Sequence, residues 1–233
     1  MHNTTFSFFR IIIFAFITLL SVSISTLKAH PHSWVSVFTE IEGNHKQLTG
    51  LTMFWTFDLM TTSDLLMGKS LNQENQQQTL KILASEMLVN VQENHYFTHF
   101  KIHNKVLRFK APKNAILTLE DYKLTLTFFL ELHNPLLLPI TDLSLQIYED
   151  SYFVDFLWLQ QDDIQLSEHF RGDCQLNIIE PPKNNVQDTD DPLFLSSTMT
   201  SQTSDALTTY DPLFIQDTNL GEKFTQSVIV NCL

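Results

Sequence analysis

"WVSVFTEIEGNHKQLTGLTMFWTF", residues 34–57, decides the fold class of this chain. Over residues 34–41 two sets of side chains alternate with a period of two, which is typical of a β-strand. One set is Trp34, Ser36, Phe38 and Glu40, and the other is Val35, Val37, Thr39 and Ile41. The tetrapeptide GNHK at 43–46 has the composition of a turn, and residues 48–57 predict a returning strand. The sequence therefore predicts a β-hairpin over residues 34–57.

The remainder of the chain predicts one helical segment and further strands. Between residues 61 and 93 apolar side chains recur at helical spacing, with Gly68 and Asn72 marking a break between two helices. Strand-like segments follow at 97–102, 105–110, 115–119, 123–132, 143–148, 152–157, 175–179 and 227–231. We expect 143–148 and 152–157 to pair around Glu149-Asp150-Ser151. The fold class is therefore α+β, with β-rich antiparallel sheets and one helical excursion.

The domain organisation begins with a targeting signal. Arg10 precedes an apolar run at 11–24, and Ala29 is a small residue at the expected cleavage point, so residues 1–29 predict a secretory signal peptide. An uncleaved membrane anchor is the alternative, although the run is shorter than a typical span. We expect a body at 30–182, a polar flexible insert at 183–220, and a C-terminal strand at 221–233 that returns to the body.

The charge and the cysteines fit export to the periplasm. Without Arg10 and Lys28 the mature chain has 12 basic and 26 acidic residues, a net charge of −14, which argues against nucleic acid as a partner. Cys174 and Cys232 are the only two cysteines. In an oxidising compartment a pair of cysteines most economically forms one disulfide, and a pair of free thiols in a metal site is the alternative.

The mature N-terminus contains the clearest candidate for a metal site. Cleavage after Ala29 would leave His30 as the first residue, with its free amine and imidazole able to chelate one ion. His32 would supply a third nitrogen, and three nitrogens suit Zn, Ni, Co or Cu. Pro31 has no backbone N–H, so a square-planar Cu or Ni site through a deprotonated second amide is excluded. The alternative is a solvated tail without a ligand.

Other histidines and carboxylates could complete such a site. His95, His99 and His103 have helical spacing, but the residues around them favour a strand that begins near Phe97, which leaves His95 as the strongest candidate of the three. Asp58 ends a predicted strand, where ligands often gather, although helix capping is an equally good interpretation.

Catalytic signatures are absent from the sequence. It contains no G-x-S-x-G, no H-E-x-x-H and no glycine-rich phosphate loop. We therefore expect a protein that is not an enzyme.

Six motifs along the mature chain together resemble one bacterial family. They are "AHPHSWV", "LTGLTMFWTFDLMTTSDLL", "NHYFTHFKI", "YEDSYFVDF", "GDCQLNIIEPP" and "LGEKFTQSVIVNC". The family is of unknown function and is described as the periplasmic component of an uncharacterised ABC-type transport system. Its members often accompany nickel/cobalt permeases or exporters.

The resemblance also implies which residues matter. It places the family's His-Pro-His on residues 30–32, its Trp-Thr-Phe-Asp on 55–58 and its Tyr-Phe-Thr on 96–98. At 148–152 this chain departs from the family's Tyr-Asp-Pro-Thr-Tyr. Many relatives carry an acidic loop after the Trp-Thr-Phe-Asp strand, but here that stretch keeps only Glu74 as an acid, so we assign no calcium site.

The leading hypothesis is a periplasmic accessory or substrate-binding-like protein of a transition-metal transport system. The metal ligands would be His30 and His32, with Asp58 and His95 as additions, and the partner would be an inner-membrane metal permease or ABC transporter. A structural module that docks on a permease without binding metal is the first alternative. A copper-dependent redox enzyme is the second.

Overall fold

Two β-sheets and three α-helices form the part of the chain that the computed structural model describes, residues 31–72, 74–168, 170, 174–182 and 220–233. The strands are β1 Ser33–Asn44, β2 Gln47–Phe57, β3 Thr98–Ile102, β4 Lys105–Val106, β5 Ala115–Glu120, β6 Lys123–Leu137, β7 Ile140–Ile147, β8 Val154–Leu157, β9 Ile164–Leu166, β10 Cys174–Ile179 and β11 Ser227–Cys232. The helices are α1 Leu59–Leu66, α2 Gln76–Gln92 and α3 Leu220–Phe224. The predicted signal peptide, His30 and residues 183–219 of the predicted insert lie outside the described residues.

The predicted hairpin is confirmed and forms the centre of the first sheet. Strands β1 and β2 are antiparallel, with Val35 opposite Phe57 and Val37 opposite Trp55. The sheet order is β5-β6-β2-β1-β8, with β9 also on β1. Both β8 and β9 run parallel to β1. The first sheet is therefore mixed, and the prediction of purely antiparallel sheets is wrong for this part of the molecule.

The second sheet has the order β10-β11-β7-β3-β4 and is antiparallel. Cys174 on β10 lies directly opposite Cys232 on β11, and the two form the predicted disulfide. The bond joins two adjacent strands at the end of the chain. A link between residues 58 positions apart also restricts the unfolded chain, which stabilises the fold by about 4 kcal/mol in the chain-entropy account.

One hydrophobic core is shared by the two sheets, and Trp55 lies in it. The indole of Trp55 contacts the rings of Phe128 and Phe156 at centroid distances of 4.9 Å, and it stacks on Phe97 at 6.3 Å. The alternation of β1 and β2 explains this core, because every second residue of each strand faces it.

The predicted helical segment is confirmed as two helices, α1 and α2, separated near Gly68 and Asn72. Gly68 has a φ of +72°, which glycine adopts without strain. Within the C-terminal strand predicted at 221–233, the first residues belong to the unpredicted helix α3, and the strand itself is β11, Ser227–Cys232. The segment predicted as a strand at 105–110 is shorter, since β4 covers only Lys105–Val106.

The expected pair of strands at 143–148 and 152–157 is wrong. Strand β7 belongs to the second sheet, whereas β8 belongs to the first and lies beside β1. The acidic turn between them therefore crosses from one sheet to the other. The edge of β1 opposite β2 is taken by β8, which runs parallel to β1. This pairing buries Asp155 and Phe156, which lie on opposite faces of β8.

Candidate functional site at the start of the first strand

The candidate site lies at the end of the first sheet where β1 and β8 begin and β2 ends. His32 precedes β1 and its side chain is exposed. The backbone N–H of His32 donates to the carbonyl of Phe153 at 2.9 Å, and the two rings lie 4.9 Å apart at 31°. The segment before β8 therefore positions His32.

Asp58 follows β2 directly and caps helix α1. Its Oδ1 accepts from the backbone N–H groups of Met60 at 2.7 Å and Thr61 at 3.0 Å, which is standard N-cap geometry. Its Oδ2 accepts from the Thr61 hydroxyl at 2.6 Å and from the backbone N–H of Trp34 at 2.9 Å. The carboxylate thus ties the start of β1 to the start of α1.

These donors control the ionisation of Asp58. Partial burial by itself would raise the pKa of Asp58, but the hydrogen bonds from the Thr61 hydroxyl and from three backbone N–H groups outweigh it and lower the pKa. Asp58 is therefore a charged group with every oxygen engaged by protein donors.

Asp155 lies on the other side of β1 and has the opposite environment. It is the β8 residue that pairs with Trp34, and it is 9% exposed. Burial raises the pKa of Asp155 to about 6, and a hydrogen bond with the Tyr152 hydroxyl only partly offsets this. A carboxyl with such a pKa changes its charge near neutral pH.

The turn before β8 is stabilised by the carboxylate of Glu149 and by contact with α3. The Glu149 carboxylate accepts from the Ser151 N–H, the Ser151 hydroxyl and the Phe153 N–H at 2.6–3.0 Å. Gly221 donates its N–H to the Asp150 carbonyl at 3.1 Å. A Cβ on residue 221 would lie 2.0 Å from the Glu149 carbonyl oxygen, so only glycine allows α3 to approach this turn.

The histidines at 95–103 are placed by a strained segment. His95, Tyr96 and Phe97 have φ values of 51°, 57° and 50°, a left-handed conformation that costs about 1–2 kcal/mol per non-glycine residue. His95 is exposed at this turn, and His99 lies on β3, where its ring stacks on Tyr148 at 3.7 Å and 4°. Burial and the nearby Lys101 lower the pKa of His99.

These elements coincide with the motifs of one protein family. Over residues 14–232 the chain matches a family described as a protein of unknown function, DUF1007. The chain belongs to the DUF1007 family. It is also similar to an uncharacterized protein of Haemophilus influenzae, with 27% identity over 206 residues that cover 88% of this chain and 91% of the relative. No solved structure matches the chain significantly.

The predicted ligands of this DUF1007 chain are not all brought together. In the parts of the chain that the structure describes, no three His, Cys, Asp or Glu side chains lie close enough to hold one metal ion. Asp58 is linked to the start of β1 through Trp34, but its oxygens already accept protein donors. His95 stands at the start of β3 in the other sheet. Ligation by Asp58 or His95 stays a prediction, and His30 lies outside the described residues.

Three residues of the site were missed by sequence reasoning: Tyr152, Phe153 and Asp155. The available signal was an acid between two apolar residues in "FVDF", at 153–156, because an aspartate inside a strand-like run needs a polar partner or a shifted pKa when it is buried. The sequence did not show which strand would lie beside it.

A shallow depression of about 430 Å³ lies elsewhere, between β4 and the middle of β6. Arg108 and His133 contribute to its lining, and the backbone N–H of His133 donates to the Arg108 carbonyl at 2.9 Å. It does not include any residue of the candidate site. Among the described residues, no helix is long and apolar enough to cross a membrane.

Proposed function

We propose that this DUF1007 protein is an exported accessory protein that binds a divalent transition-metal ion through its mature N-terminus and serves a metal transport system. The observation that supports this most is the position of His32. It is exposed, it directly precedes β1, and its backbone and ring are both held by Phe153. A terminal chelate with one anchored imidazole loses less conformational freedom on binding than a free tail.

The ligand set that fits best comes from the terminus alone. The His30 amine, the His30 imidazole and the His32 imidazole are three nitrogen donors on one short segment. Nitrogen donors favour Cu(II), Ni(II), Zn(II) and Co(II) over Mn(II). Recruiting Asp58 would require its carboxylate to give up hydrogen bonds from the N–H groups of Trp34 or α1, at a cost of about 1 kcal/mol for each bond lost.

The charge of the protein supports a cationic cargo and an accessory role. A net charge of −14 on the mature chain raises the local concentration of cations around it. The family resemblance supports an inner-membrane metal permease or ABC transporter as the partner that receives or delivers the ion.

The test is a calorimetric titration of the mature chain, residues 30–233, with Cu(II), Ni(II), Zn(II), Co(II) and Mn(II), after intact mass has established its first residue. We expect one ion per chain, with Mn(II) weakest. Binding should weaken as pH falls, because imidazoles must lose their protons to bind a metal.

Two variants separate the terminus from other histidines. The double variant His30→Ala/His32→Ala should abolish binding, and one extra alanine before His30 should weaken it, since the amine then becomes an amide. His45→Ala/His103→Ala is the matched control, because both side chains are exposed in turns away from the candidate site. Wild-type affinity in the His30/His32 variant would show that the ligands lie elsewhere.

A further inference from the structure

Four large apolar side chains are exposed together around the start of β1. They are Trp34, Leu59, Met60 and Phe153, with exposed fractions of 47%, 57%, 68% and 49%. We call these four residues the end patch. Solvent-exposed apolar side chains are ordinary when they are scattered, but a cluster of this kind marks an interaction surface.

Short polar links hold the end patch together. The backbone N–H of Trp34 donates to the Asp58 carboxylate, and the carbonyl of Trp34 accepts from the backbone N–H of Asp58. Leu59 and Met60 are the next residues along the chain, at the start of α1. Phe153 joins from the other side, because its carbonyl accepts from the N–H groups of His32 and Ser33. These links bring the backbones of the four residues to the point where the chain enters β1.

The chain outside the described residues indicates what covers this surface. The apolar run at 11–24 ends seven positions before Pro31, with residues 25–30 between them. Seven extended steps span at most about 25 Å, so before cleavage a bilayer that holds the run lies within that distance of Pro31, next to the end patch. Aromatic and long apolar side chains such as Trp, Phe, Leu and Met are the types that enter the interfacial region of a membrane.

We infer that the end patch inserts into the surface of a zwitterionic phospholipid bilayer and remains able to do so after cleavage. Two carboxylates that accept from the backbone of the patch, Asp58 from Trp34 and Glu149 from Phe153, together with the net charge of the mature chain, oppose anionic lipids. The attraction is therefore apolar, and salt does not weaken it. Docking in this orientation brings His32 to the membrane, where a permease would meet it, but it does not require a metal.

The test is flotation of the mature chain, residues 30–233, with phosphatidylcholine vesicles in a density gradient. The wild type should float, and the variant with all four end-patch residues changed to serine should lose at least about tenfold in partition coefficient. The matched control is Val106→Ser/Leu137→Ser, which removes side chains 66% and 71% exposed elsewhere on the surface and should float like the wild type. Replacing part of the phosphatidylcholine with phosphatidylglycerol should reduce flotation.

Tryptophan fluorescence gives a second readout, which starts from the wild-type protein. Trp55 and Trp158 are buried at 2% exposure, so a blue shift on adding vesicles, and quenching by brominated lipid, report on Trp34. These signals should appear with phosphatidylcholine and disappear in Trp34→Phe.

Several results would overturn the inference. They are a wild type that does not float, an end-patch variant that floats equally well, or stronger binding to the anionic vesicles. An end-patch-dependent dimer in sedimentation velocity without vesicle binding would assign the surface to a second copy. Binding only to vesicles that contain membrane proteins would assign it to a protein partner. Metal titration of the same samples is independent, so failure of either proposal leaves the other standing.

Discussion

Asp58 and Asp155 stand on either side of Trp34 and differ in almost every respect. Asp58, at the end of β2, accepts one hydroxyl and three backbone N–H groups, and its pKa is lowered. Asp155, on β8, is buried with a hydroxyl of Tyr152 as its partner, and its pKa is raised to about 6. The same side chain beside the same strand residue is stabilised as an anion in one place and as a neutral acid in the other.

The difference shows that the depth of burial and the number of donors, and not proximity to the site, decide the charge of a carboxylate. Asp58 accepts hydrogen bonds from N–H groups at the start of helix α1 that have no partner within the helix, and these groups favour an anion. Asp155 lies inside β8, a strand at the edge of the sheet that pairs with β1, and it accepts from the Tyr152 hydroxyl. At neutral pH the first carboxylate stabilises the fold and the second opposes it.

The largest effect on stability is expected from removing the Asp58 carboxylate, which accepts all four hydrogen bonds. Asp58→Ala should lower the free energy of unfolding by about 3 kcal/mol at neutral pH, because a helix cap and the bond to the Trp34 N–H are lost together. Urea denaturation measures this loss. Asp64→Ala, an exposed aspartate on the same helix, is the control, and equal losses in the two variants would mean that Asp58 has no special role.

Asp155→Asn should act in the opposite direction. Because burial raises the pKa of Asp155 in the folded state, its contribution is complete below the ordinary pKa of about 4 and is lost as pH rises through about 6. The variant should therefore exceed the wild type in stability by about 2 kcal/mol above pH 7, and the difference should vanish near pH 4.

Urea denaturation of both proteins across this pH range measures the effect. A difference that does not change with pH would show that Asp155 does not titrate within it.

Thr61→Val should make Asp58 resemble Asp155. Losing the hydroxyl donor should raise the pKa of Asp58 toward its ordinary value and cost about 1 kcal/mol at neutral pH. Stability from a lowered pKa is present above the ordinary pKa and is lost as pH falls through the folded one. The acid transition should therefore move to higher pH.

Carbon NMR titration of the Asp58 carboxyl measures its pKa directly. Ser63→Ala, on an exposed position of the same helix, is the control. An unchanged Asp58 titration in Thr61→Val would leave the backbone donors as the whole cause.

The smallest effect is expected for Tyr152→Phe. Loss of the hydroxyl should raise the pKa of Asp155 further and cost about 0.5–1 kcal/mol above pH 7, where the carboxylate is charged. Chemical denaturation near pH 7.5 and pH 4 compares the two charge states, with the 86% exposed Tyr122→Phe as control. A fall in the pKa of Asp155 would contradict the assignment of Tyr152 as its donor.

Local pattern was enough to predict much of the fold. The period-two alternation at 34–57 predicted β1 and β2, and helical spacing at 61–93 predicted α1 and α2, because each signal is complete within a short stretch. The disulfide followed from two cysteines and a predicted export signal. Asp58 was recognised as either a ligand or a helix cap, and the cap geometry is present.

The sequence by itself determined the hairpin of β1 and β2, the helices α1 and α2, and that His32 precedes the first strand. Only the tertiary structure decided that β8 lies parallel to β1, that Phe153 holds His32, and that Asp155 is buried beside Trp34. Each of those contacts joins segments more than 100 residues apart, and each depends on which edge of β1 is left for β8. Local propensity carries no information about the partner of β8. The pairing is decided by the burial of both faces of this short strand, which is a tertiary effect.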